Sequence, residues 1–132
     1  MAALNSVYIR NPGATSHRLY NDTGAILYQG ELTVLGELVA VANEQVAIAG
    51  IGGFDTEDGA IVQATDLESG EATFGTQNQN VYFNPADGQL SDTPQVGYYK
   101  IGQLVAGGTK DAAGMIVFAK RRWADPVESD ET

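Results

Sequence analysis

Apolar residues along this chain come in short runs about ten residues apart, each closed by glycine, asparagine or a polar pair, a rhythm that predicts an all-β domain, a small sandwich or barrel. Residues 24–30, GAILYQG, form a short strand candidate. The stretch 31–50, ELTVLGELVAVANEQVAIAG, holds three apolar runs broken at Gly36-Glu37 and at Asn43-Glu44. Leu32, Leu35, Leu38 and Val39 also fit helical spacing, but Val, Ile and Thr dominate and Gly36 interrupts, so strands are expected. GIGGFDTEDG at 50–59 reads as punctuation around Phe54. AIVQAT at 60–65, VYF at 81–83 and GQLS at 88–91 are further strands, and 66–80 is a polar loop with a brief strand near 72–74. YYKIGQLVA at 98–106 and GMIVFAKRR at 114–122 pair as a hairpin through residues 107–111.

The two ends break the rhythm. Residues 1–20 carry one extended candidate, Val7–Arg10, followed by Asn11-Pro12-Gly13, and predict an extended N-terminal arm with little core of its own. Residues 124–132 hold Asp125-Pro126 and further acids, and predict a short acidic tail. The β domain then spans 21–123.

Composition narrows the chemistry. A chain of 132 residues is one domain by size and can bury about two-thirds of its unfolded surface. It has no cysteine, which removes disulfides, thiolate zinc sites and thiol catalysis. The start lacks a basic stretch followed by an apolar one, so no secretory signal is expected, and no run reaches the roughly 18 apolar residues that span a bilayer. The net charge is −10, with no Lys or Arg between Arg18 and Lys100. Such a surface repels phosphate backbones, so nucleic acid is not an expected partner, and with no bilayer-spanning run neither is a membrane.

Each chemical candidate has a plainer explanation. Asn84-Pro85-Ala86-Asp87-Gly88 contains proline, a carboxylate able to bond its own backbone, and glycine, which together describe a turn and not a metal ligand at Asp87. Asp55-Thr56-Glu57-Asp58-Gly59 begins like a calcium loop but lacks glycine at the sixth position, and reads as a solvated turn. His17 is the single histidine, which excludes a multi-histidine metal site within one chain, and it reads as a surface or interface residue. Asn21-Asp22-Thr23 matches a glycosylation sequon without a secretory context. No enzyme, cofactor or metal is expected. Lys120-Arg121-Arg122-Trp123 is the one basic cluster, so Arg121, Arg122 and Trp123 are candidates for an interface patch, since Arg and Trp anchor interfaces.

The order of these segments resembles the capsid decoration, or cement, proteins of tailed bacteriophages, which are similar in role to the lambda-type head decoration proteins. The resemblance covers about residues 24–121. It rests on GELTVLGELVAVA, then VAIAGIGGF, then Val81-Tyr82-Phe83 with Asp87-Gly88, then Ile101-Gly102 and the terminal hairpin. The loop after Asn43 is shorter than the family pattern, and both ends extend beyond it. The resemblance implies a β-tulip-like barrel or sandwich, made in the host cytoplasm and bound to the outside of the expanded head. There it would clamp neighbouring subunits of the major capsid protein against DNA pressure, as a homotrimer at three-fold sites or a dimer. On that reading the arm residues Ser6, Val7, Tyr8, Ile9 and Arg10 would contact the capsid by adding a strand to an exposed edge. The alternative is a small β-barrel module binding carbohydrate or peptide, with Phe74, Tyr98 and Tyr99 lining a groove.

Overall fold

The computed structural model describes residues 3–10, 16–68 and 73–128, with side chains for all of these except 5–10 and 16. They form ten strands and, among the described residues, no helix. In chain order the strands are β1 (Leu4–Arg10), β2 (Ser16–Tyr20), β3 (Glu31–Leu35), β4 (Leu38–Ala42) and β5 (Ile51–Asp55). β6 (Ile61–Ala64), β7 (Asn80–Asn84), β8 (Gln89–Ser91), β9 (Tyr99–Leu104) and β10 (Ile116–Pro126) follow. Hydrogen bonding joins them in the order β2-β5-β4-β3-β1-β6-β10-β9-β7-β8, with every neighbouring pair antiparallel.

Two strands fold this sheet back on itself. β1 pairs with β3 through Leu4 and Asn5, then with β6 from Ser6 onward. β10 slips register against β9 between Lys120 and Asp125, and in that interval Trp123 bridges to Leu38 of β4. The main core fills the space so enclosed. Leu4, Leu32, Val34, Val39 and Val41 face Val62, Val81, Phe83, Ile101, Ile116 and Phe118, all buried. Burying side chains of this size contributes about 1.5–3 kcal/mol each.

A second core explains why the run LVAVA has no polar alternation. Val39 and Val41 point into the main core, while Ala40 and Ala42 point the other way, into a cluster with Leu27, Leu35, Val46 and Phe54. A strand buried on both faces reads as a continuous apolar run. The cover over this second face comes from segments 21–30 and 43–50, tied by the isolated Leu27–Val46 bridge. The candidates at 24–30 and 46–50 therefore make one bridge between them and no strand. By contrast 51–55, expected as punctuation, is β5. Gly52 is there for proximity: a Cβ on it would lie 2.4 Å from a methyl of Val46.

Both expected ends need correction. The described part of the presumed arm is built into the sheet: Leu4 is fully buried in the main core, Ser6–Arg10 are taken up by β6, and β2 pairs along β5. Long-range pairing supplies the order that local pattern does not announce. At the other end β10 runs to Pro126, Asp125 and Pro126 pair with Lys100 and Tyr99, and the Val127 amide donates to the Tyr98 carbonyl. Residues 1–2 and 11–15 of the expected arm, and 129–132 of the expected tail, lie outside the described residues.

Candidate functional site

The strongest polar feature is a lysine inside the apolar interior. Along β10 the residues that face inward alternate as Ile116, Phe118, Lys120, so period-two geometry carries Lys120 into the core. It is 1% exposed. Its ammonium donates to the Val39 carbonyl at 3.1 Å and the Glu57 carbonyl at 2.7 Å, joining β4 to the loop after β5. The backbone reinforces the join, since the Gly59 amide donates to the Lys120 carbonyl and the Lys120 amide to the Ala60 carbonyl. Burial pushes the Lys120 pKa down to about 8, against the upward pull of the Asp55, Asp58 and Glu57 charges, and Arg122 adds to the depression.

The carboxylates around it are not a solvated turn throughout. Asp55 and Thr56 are 1% exposed, while Asp58 and Gly59 face solvent. Asp55 accepts from the Glu57 amide at 2.8 Å, which leaves Asp55 Oδ2 and Glu57 Oε2 buried without a hydrogen-bond partner. Buried acceptors in that state are costly, and a nearby cation compensates for them. His17 joins the group from β2, its Nδ1 lying 2.7 Å from the Thr56 hydroxyl. A cavity of about 350 Å³ opens over this cluster, lined by His17, Thr56, Glu57, Asp58 and Arg122.

The basic cluster read from the sequence is thus split. Lys120 points in, and the alternation that places it there was visible in MIVFAK. Arg121 lies 3.8 Å from Asp125, and the Arg122 guanidinium sits 5.6 Å from the centre of the Trp123 ring. Trp123 is half-exposed and Arg122 lines the cavity, so the patch exists as a rim. Ser6–Arg10 do not join it; they run along β6.

A second feature went unread in the sequence. Asn21 is 1% exposed, and its amide donates to the carbonyls of Ala25 at 2.8 Å, Ala47 at 3.1 Å and Val46 at 3.4 Å. Its Oδ1 accepts from the Thr23 amide at 3.1 Å and hydroxyl at 2.7 Å, so the sequon spacing of Asn21 and Thr23 serves a local turn. The Asn21 backbone N–H donates to the Gly50 carbonyl. Large apolar side chains left in solvent flank these anchor points: Tyr20 at 54%, Ile26 at 38%, Ile48 at 56% and Ile51 at 62%, with Tyr28 beyond. Tyr20 and Ile51 are direct cross-strand partners.

The corner at 84–88 is a turn, as expected, but Asn84 shapes it. Asn84 accepts from the Ala86 amide, its backbone carbonyl accepts from Gly88, and its amide donates to Asp87, Glu68 and the Tyr98 hydroxyl. Gly88 supplies a φ of 68°. Asp87 is exposed. The aromatics proposed for a ligand groove are placed otherwise: Phe74 is fully buried, Tyr99 packs on the core and Tyr98 hydrogen-bonds Glu68. Among the described residues no cluster of three or more His, Asp or Glu is placed to hold a metal ion. No protein-family model matches the chain, and no curated protein or solved structure matches it.

Proposed function

We propose that this chain is a structural clamp, a decoration protein of the phage-head type that binds the outside of the expanded shell and bridges neighbouring shell subunits. The observation that carries the reading is the distribution of exposed apolar residues. Of the seven large hydrophobics exposed among the described residues, five lie in β2, at the start of β5 and in the two segments that Asn21 pins together. Exposed apolar side chains held on a hydrogen-bonded frame are points at which another protein can dock. The charge of −10 fits a protein that must stay soluble until it docks.

The segments that carry the family resemblance are the framework of this fold. GELTVLGELVAVA supplies β3 and β4, VAIAGIGGF leads into β5, and the corner joins β7 to β8. Ile101-Gly102 lies within β9, paired with β10. We read the ring of pairings β4-β3-β1-β6-β10, closed at Trp123–Leu38, as a small barrel of the β-tulip kind. Assembly as a trimer would multiply modest contacts into firm attachment.

Co-sedimentation with expanded, undecorated heads of the parent phage tests the reading. Saturable binding to expanded heads, and none to precursor heads, is expected. A folded protein that ignores both, yet shows a ligand-dependent thermal shift with an oligosaccharide or peptide, would replace the clamp with the binding-module reading.

A further inference from the structure

The strand order has two ends, and they differ. β8 is covered: the Leu90 amide donates to the Asp66 carbonyl, the Glu68 amide donates to the Leu90 carbonyl, and Leu67 bridges Leu90 in parallel. β2 pairs with β5 on one side, and among the described residues no strand lies along its other side. An uncovered edge presents unpaired amides and carbonyls that another chain can complete. Ser6–Arg10, the stretch suited by sequence to be donated to a partner, is paired with β6.

We infer that strand addition runs the other way: β2 accepts an extended segment of the shell subunit as an eleventh strand. This deepens the clamp reading and rests on it. The edge also states what the segment should carry. Along β2, His17 and Leu19 face inward, to Thr56 and to the second core, whereas Arg18 and Tyr20 are exposed on the opposite face. Arg18 is the one Lys or Arg between residues 11 and 99. Tyr20 already stands beside exposed Ile51, forming a two-residue apolar ladder that a third strand would extend. The matching segment presents a carboxylate opposite Arg18 and an apolar or aromatic side chain opposite Tyr20, two positions along. A second copy of this chain fits less well, because pairing about Arg18 opposes like charges and each copy carries a charge of −10.

The test uses full-length protein and expanded heads of the parent phage. Arg18→Glu and Tyr20→Asp change exposed side chains at the edge; Val96→Asp, at an exposed site in the loop before β9, controls for added negative charge. The edge variants should bind at least tenfold more weakly than wild type while Val96→Asp binds normally, and the amides of residues 16–20 should exchange more slowly on heads than in free protein. Normal binding by the edge variants, with no protection of β2, overturns the inference and leaves the clamp standing. Failure of the wild type to bind overturns both. Concentration-dependent protection of β2 in free protein, with a doubled mass, would assign the edge to a second copy and overturn the occupant named here.

Discussion

Replacing Lys120 with methionine keeps the unbranched apolar stem and removes the ammonium that joins β4 to the loop after β5. Three effects compete. The carbonyls of Val39 and Glu57 lose a buried donor, at about 1–3 kcal/mol for each acceptor left without another partner. Asp55 and Glu57, each with a buried oxygen lacking a partner among the described residues, lose a compensating cation. Against these, the cost of burying a charge disappears; the gap between the ordinary lysine value of 10.5 and about 8 corresponds to about 3 kcal/mol. Removing one member of a buried charged group costs about 3–5 kcal/mol as a rule, so a loss near 3 kcal/mol is expected at pH 7. The pH dependence is the sharper signature. Below pH 8 the lysine is charged in both states and the burial cost is present in full. Between pH 8 and 10.5 the folded lysine sheds its proton while the unfolded one keeps it, so the wild type gains stability with rising pH, by up to about 3 kcal/mol. The variant has no such gain. Urea unfolding of both proteins at pH 7 and pH 10 should therefore show the gap between them widening by about 2–3 kcal/mol. A gap that stays constant or narrows would refute the account of Lys120 as a buried cation held at a cost.

Other substitutions separate framework from surface. Asn21→Ala removes the side chain that ties segments 21–30 and 43–50 together, and thermal unfolding should show a loss of about 2–3 kcal/mol. Gly52→Ala places a methyl 2.4 Å from Val46 and should cost about 1–3 kcal/mol by overpacking; a neutral result would mean the second core is loose. Asp87→Ala should change stability by less than about 0.5 kcal/mol, whereas Asn84→Ala, which strips the corner of its bonds to Ala86, Glu68 and Tyr98, should cost several times more. Deleting residues 1–10 removes β1 with buried Leu4, and circular dichroism should report an unfolded or insoluble chain. A truncated protein that melts like the full chain would restore the arm.

What could be read from the sequence tracks where physics is local. β6, β7, β8 and β10 alternate or sit between strong turn signals, and their positions follow from the pattern. β4 was legible as a strand because Val, Ile and Thr dominate its neighbourhood and Gly36 interrupts the helical spacing. β5 was hidden because Gly52 and Gly53 look like turn residues, while the reason for Gly52, Val46 lying across the strand, comes from another segment. β1 was legible only as the extended candidate Val7–Arg10 and β2 was not read, because their partners β6 and β5 lie far along the chain and no local preference reports such pairing. The candidate patch was half legible. Trp123 and Arg122 were found by residue type, but Lys120 was grouped with them by adjacency, although alternation with Ile116 and Phe118 sends it inward. Asn21 carried no readable signal beyond its spacing to Thr23, because its other partners, Val46 and Ala47, are brought in by the fold.

The proposed role of holding a shell together is tested most directly by the temperature at which DNA-filled heads rupture with and without the protein. Saturating decoration should raise that temperature, and Arg18→Glu protein at the same concentration should not. Heads that rupture at one temperature whether bare or fully decorated would contradict the clamp, however tightly the protein binds.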